Sequence, residues 1–120
     1  MAFITKLEPN QIFVFGSNVD GLHYGGAAKQ AMEFGAEFGN PVGRQGQTYA
    51  IPTIDLKNGE FLGWDKIMEY MQDFRDYASK NPDLEFLLTP IGTGIAGGSI
   101  KDLDTIVNSM SFPDNVVKIW

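Results

Sequence analysis

Two stretches of the chain concentrate glycine and small polar residues more densely than core packing requires. The first is Gly16-Ser17-Asn18-Val19-Asp20-Gly21-Leu22-His23-Tyr24-Gly25-Gly26, and the second is Gly92-Thr93-Gly94-Ile95-Ala96-Gly97-Gly98. Glycine lets backbone come close to a ligand, and unpaired N–H groups at a helix N-terminus or in a loop concavity attract anions. Ser17 and Asn18 add groups able to bond sugar hydroxyls. The bland alternatives are a tight turn capped by Asn18 in the first stretch and a mobile turn in the second. A single phosphate-binding cleft accounts for both stretches at once. Neither fits the common fingerprints: there is no Gly-Lys-Ser or Gly-Lys-Thr, and Gly21 to Gly26 does not follow G-x-G-x-x-G.

His23 is the only histidine and lies inside the first stretch. It is a candidate general acid or base near neutral pH, or else a side chain that only bonds loop backbone. One histidine in a chain without cysteine makes no transition-metal site, so no metal and no cofactor are expected. Thr53 and Asp55 fall just past the expected end of a strand and would face the same cleft. Asp55 is a candidate catalytic carboxylate or ribose ligand, or else a turn residue before Asn58-Gly59.

These residues must be held by something, and the periodicity supplies it. Gln11 to Phe15 is a short apolar run of the buried-strand kind, ending at Gly16-Ser17-Asn18. A helix begins near Gly25 or Gly26, with Ala28, Ala31, Met32 and Gly35 on one face. Gln47 to Thr53 reads as a second strand cut off by Pro52, and Gly39 to Gln47 as a loop. Trp64, Ile67, Met68, Met71, Phe74 and Ala78 follow helical spacing, so Gly63 to Lys80 is a helix stopped by Asn81-Pro82. Asp65, Glu69, Asp73 and Asp76 form its solvated face.

Leu84 to Thr89 is a further strand. Ser99 with Asp102 resembles a capping box for a helix carrying Ile100, Leu103, Ile106, Val107 and Met110. Val116 to Trp120 closes the chain as a strand, and Ala2 to Lys6 is a possible first one. Strands alternating with helices predict a mostly parallel or mixed sheet covered on both faces, a three-layer α/β/α sandwich of five or six strands. In such sheets ligands bind beyond the carboxyl ends of the strands, where both glycine stretches fall.

The totals limit the partners. The 120 residues are 43% hydrophobic and 20% charged, the composition of one globular domain over 1–120. With no cysteine, disulfides and thiolate chemistry are excluded. Met-Ala-Phe-Ile-Thr-Lys turns polar too soon for a secretory signal, and no apolar run suits a membrane span, so a cytoplasmic protein is expected. A net charge of −6 argues against nucleic acid and anionic membranes as partners. Phosphate binding by such a chain must rely on backbone N–H groups.

Taken in order, these segments resemble the macro domain, the ADP-ribose-binding fold, in compact form. The resemblance rests on Val14-Phe15-Gly16-Ser17-Asn18 followed by Gly25-Gly26-Ala27-Ala28, on Tyr49-Ala50-Ile51-Pro52-Thr53, and most specifically on Pro90-Ile91-Gly92-Thr93-Gly94-Ile95-Ala96-Gly97. It extends from Ile12 to Trp120. The chain is also similar to short bacterial and phage proteins with a Gly-Ser-Asn…His…Gly-Ala-Ala loop and a Gln-Gly-Gln-Ser/Thr-Tyr-Ala-Ile-Pro-Thr stretch.

The resemblance implies that Gly92, Thr93, Gly94, Ile95, Ala96 and Gly97 wrap a diphosphate while Asn18, Gly25 and Gly26 face the distal ribose. The ligand would be ADP-ribose or a related NAD-derived nucleotide. Two positions depart from the pattern. Phe15 stands where many catalytic macro domains have Asn, and Glu8-Pro9-Asn10 only loosely replaces an adenine-binding Asp. Binding is therefore expected ahead of hydrolysis of an ADP-ribosyl bond or terminal phosphate. A protein-interaction module is the remaining alternative.

Overall fold

A computed structural model describes residues 4–120. In chain order the elements are β1 (Gln11–Asn18), α1 (Gly26–Met32), β2 (Gly43–Gln45), β3 (Thr48–Asp55), β4 (Glu60–Phe61), α2 (Trp64–Lys80), β5 (Glu85–Leu88), α3 (Ile100–Ser109) and β6 (Val116–Lys118). A single turn of 3-10 helix, Gly94–Ala96, precedes α3. Among the described residues the sheet is mixed and six-stranded, ordered β2-β3-β1-β5-β6, with β4 paired to β3. Strand β1 runs parallel to β3 and β5, and β5 parallel to β6. The antiparallel pairs are β2 with β3 and β3 with β4.

Alternate residues of β1 face opposite sides of the sheet, as a strand requires. Ile12 and Val14 join Tyr49, Ile51, Phe86 and Leu88 beneath α2 and α3. Phe13 and Phe15 join Ala50 beneath α1, where Ala28 and Ala31 allow close approach. The larger core centres on Phe74 of α2. Its ring lies 5.0 Å from Tyr49, 5.4 Å from Phe86 and 5.7 Å from Phe112, centroid to centroid.

Burial, then Asp73 and Tyr77, push the Tyr49 phenol from 10.0 up to about 12. The neutral form is thus favoured by folding. That contribution is whole below pH 10 and lost as pH rises through about 12. We expect Tyr49→Phe to retain stability on the order of 1 kcal/mol better than wild type between pH 10 and 12, after allowance for solvent screening. Denaturant melts at both pH values check it, and parallel decline of the two proteins would contradict it.

Several boundaries differ from the sequence expectation. Strand β1 continues through Gly16-Ser17-Asn18, because Gly16 and Ser17 still pair with Ile51 and Pro52 before a bulge at Asn18. Pro52 does not end β3. It sits beside the gap between β2, whose pairing stops at Ala50, and β4, whose pairing starts at Ile54. A missing N–H interrupts no ladder there. Thr53 and Asp55 are consequently inside the strand.

The stretch from Gly39 to Gln47 holds β2 rather than loop alone. Helix α1 ends at Met32, which is 41% exposed, so Met32 and Gly35 do not extend its buried face. Of the expected first strand, Ala2 and Phe3 lie outside the described residues and Ile4 to Lys6 carry no strand. The α3 start is as expected in part: the Ser99 hydroxyl accepts from the Asp102 N–H at 3.1 Å. Among the described residues no helix is long and apolar enough to cross a membrane.

Candidate functional site

Because β1, β3 and β5 are parallel, their carboxyl ends meet on one side of the sheet, and the two glycine stretches leave from there. Between them lies a cleft of about 550 Å³. That is within the roughly 300–1,000 Å³ usual for small-molecule sites. Its floor is Gly16, Ser17, Asn18, Thr53 and Thr89, one wall is Tyr24 to Ala28, and the other is Pro90 to Ala96. No acidic, basic or histidine side chain lines it among the described residues.

The first wall is fixed by Asn18. Its amide Nδ2 donates to the Leu22 carbonyl at 2.8 Å while its Oδ1 accepts from the Leu22 N–H at 2.9 Å. The Ser17 hydroxyl donates to the Pro41 carbonyl, and Thr53 Oγ1 donates to the Ser17 carbonyl at 3.2 Å. These side chains line the cleft, yet much of their bonding capacity holds the fold. The N–H groups of Gly25, Gly26, Ala27 and Ala28 donate to no backbone acceptor among the described residues.

The second wall closes on itself. Gly98 donates to the Gly92 carbonyl at 2.8 Å, Gly97 to the Gly94 carbonyl at 3.0 Å, and Thr93 Oγ1 to the Pro90 carbonyl at 2.6 Å. Its base is Trp64, the first residue of α2. A Cβ on Gly92 would come within 2.9 Å of the indole, and one on Gly98 within 2.7 Å of it. Phe61 braces the indole edge-on at 5.3 Å. The Gly92, Thr93 and Gly94 N–H groups also lack a backbone acceptor among the described residues. The first amides of any helix are left unpaired in this way, and together with those of the second stretch they are free to meet an acceptor from outside the chain.

The fold thus gathers Gly16, Ser17, Asn18, Gly25, Gly26, Thr53, Gly92, Thr93, Gly94, Ile95 and Ala96 around one cleft, and Gly97 is not part of its lining. His23 and Asp55 are not in that lining. Asp55 accepts from the Lys57 N–H at 3.1 Å, the Asn58 N–H at 3.3 Å and Asn58 Nδ2 at 2.8 Å, the turn arrangement that Asn58-Gly59 suggested. His23 is 2% exposed and wedged edge-on between Phe15 at 5.3 Å and Phe38 at 6.3 Å. Neither ring nitrogen has a partner among the described residues.

His23 therefore packs as an aromatic that carries two undischarged polar atoms. Replacing it by Phe keeps the ring contacts and removes that desolvation cost. We expect His23→Phe to stabilise the protein by about 1 kcal/mol, seen as a higher melting temperature. A destabilised variant would mean that the imidazole nitrogens are bonded in solution.

Tyr24, Pro90 and Ile91, which belong to the motifs quoted above but carry no expected ligand contact there, also line the cleft. The sequence reading had not linked Trp64 to the site. The spacing placed Trp64 on the helix face, but nothing in it revealed a neighbour thirty residues on. Among the described residues no cluster of three or more His, Asp or Glu side chains could hold a metal ion. Compared with known proteins, the chain matches no family model, no curated protein and no solved structure.

Proposed function

We propose that the cleft binds ADP-ribose or a related NAD-derived nucleotide, with its diphosphate held by backbone N–H groups of the two glycine stretches. One observation carries this: among the described residues, amides without a backbone acceptor on both walls flank a cleft whose lining has no carboxylate, in a protein of net charge −6. An anion entering it meets donors on two sides and no like charge. Helix α1 has only seven residues, so individual N–H bonds matter here more than its dipole. The resemblance to macro domains supports the same ligand, and helices on both faces of a sheet with parallel β3-β1-β5 suit a macro-like α/β/α sandwich. We place its action in the cytoplasm, since a cysteine-free chain suits a reducing compartment.

Hydrolysis is left outside the proposal. General acid–base work needs a titratable group within hydrogen-bonding reach of the reacting atoms. Among the described residues the cleft lining offers no histidine, carboxylate or amine side chain, and of the titratable types only the Tyr24 phenol, with His23 packed under the first stretch and Asp55 held in its turn.

Calorimetric titration with ADP-ribose tests the proposal through Gly94. This residue has φ +64° and open space where a side chain would begin, so Gly94→Glu sets a carboxylate on the cleft wall. We expect Gly94→Glu to weaken ADP-ribose at least tenfold, by charge repulsion at close range. Gly94→Asn, which tolerates the same backbone, should bind much nearer to wild type. Equal affinity for Gly94→Glu and wild type would contradict the proposal.

A further inference from the structure

Tyr24 is an aromatic residue that the core does not use. It lines the cleft yet is 68% exposed, and Phe38 beside it is 51% exposed. Tyrosine is enriched at binding surfaces because its ring is apolar while its hydroxyl stays wet. The two rings lie 5.5 Å apart at 57°. Phe38 leans in turn on His23 at 6.3 Å, and His23 on the fully buried Phe15 at 5.3 Å. A line of rings therefore runs from the core to the cleft wall, and it braces Tyr24 from behind. The residue that follows Tyr24 begins the run of unpaired amides from Gly25 to Ala28.

A braced, exposed ring next to anion-binding donors is an arrangement that suits a molecule carrying both phosphate and a flat heterocycle. We propose that Tyr24 is the stacking residue for the heterocycle of the bound nucleotide, which sets the base beside Gly25 and Gly26 in place of the distal ribose that the resemblance implies there. This rests on the nucleotide-binding function proposed above and adds to it a residue that reads the ring: the heterocycle gains affinity through Tyr24, while ring-free diphosphates are held by the amides alone. Stacking tolerates different bases because each has a π face. Tyr24 therefore selects for the presence of a ring and leaves the choice among bases open.

The experiment compares wild type, Tyr24→Phe and Tyr24→Leu, each titrated with ADP-ribose and with inorganic pyrophosphate as the ring-free probe. Tyr24 is exposed, so all three proteins should fold, and equal melting temperatures confirm it. We expect Tyr24→Leu to weaken ADP-ribose about tenfold. Tyr24→Phe should hold ADP-ribose close to wild type, and pyrophosphate affinity should be the same for all three. ADP-ribose binding that survives in Tyr24→Leu would overturn the stacking role while leaving the nucleotide site in place. If wild type binds neither probe, the nucleotide site falls and the stacking role with it. A concentration-dependent dimer of wild type that Tyr24→Leu dissolves would also overturn it, because the ring would then serve a second copy of the chain.

Discussion

Gly92→Ala is expected to destabilise the protein by about 2–4 kcal/mol and to lower affinity for any ligand of the cleft. Two independent costs combine. Gly92 has φ +75°, where an L side chain loses roughly 1–2 kcal/mol. The added Cβ would also lie 2.9 and 3.0 Å from two carbons of the Trp64 ring, and 3.5 Å from Ile67 Cδ1. Overpacking of this kind costs about 1–3 kcal/mol. The indole is rigid and braced by Phe61, so the loop has to move instead. Gly97→Ala separates the two costs. Gly97 has φ +98° but no atom near its missing side chain, so it should lose only about 1 kcal/mol. Gly25 has neither problem, and Gly25→Ala should leave the melting temperature unchanged. Equal losses for Gly92→Ala and Gly97→Ala would show that Trp64 does not lie beneath the second stretch.

Trp64→Ala is expected to cost roughly 3 kcal/mol, near the lower end for a large aromatic because the residue is only partly buried. The loss should be felt at the cleft as well as in the melt. Without the indole the second stretch has no base under Gly92 and Gly98, and its amides no longer hold one geometry. The double variant gives the sharper test. Once the indole is gone, a Cβ at Gly92 has little left to strike, so the second substitution should cost about 1 kcal/mol or more less than it does alone. Simple additivity, measured by denaturant unfolding of both single variants and the double, would contradict the packing.

How much of this was written in the residues varies from place to place. Helix α2 was legible end to end because Ile67, Met71, Phe74 and Ala78 repeat a single period over many turns. The location of both glycine stretches at strand carboxyl ends was legible for a similar reason, since continuous apolar strands leading into glycine give a strong local signal. Strands β2 and β4 were not, being three and two residues long, too short for any period to register. Pro52 misled for a physical reason. Its effect depends on whether a neighbouring strand runs beside it, and that depends on where β2 stops and β4 starts. The same limit applies to the site. Residue type suggested chemistry for His23 and Asp55, but the ring contacts that hide His23 come partly from Phe38, and the turn that engages Asp55 comes from Asn58. For Asn18, type indicated a polar bond and left its partner, the Leu22 backbone, unspecified.

Backbone amides on both cleft walls are proposed to hold a phosphate-bearing ligand. The most direct measurement is an amide proton–nitrogen correlation spectrum of the labelled protein, recorded as ADP-ribose is added. The largest shifts are expected at Gly25, Gly26, Ala27 and Ala28 and at Gly92, Thr93 and Gly94, the groups without a backbone acceptor. These shifts should saturate together with a single affinity. Shifts confined to one wall, shifts centred elsewhere on the surface, or an unchanged spectrum at millimolar ligand would each contradict the claim.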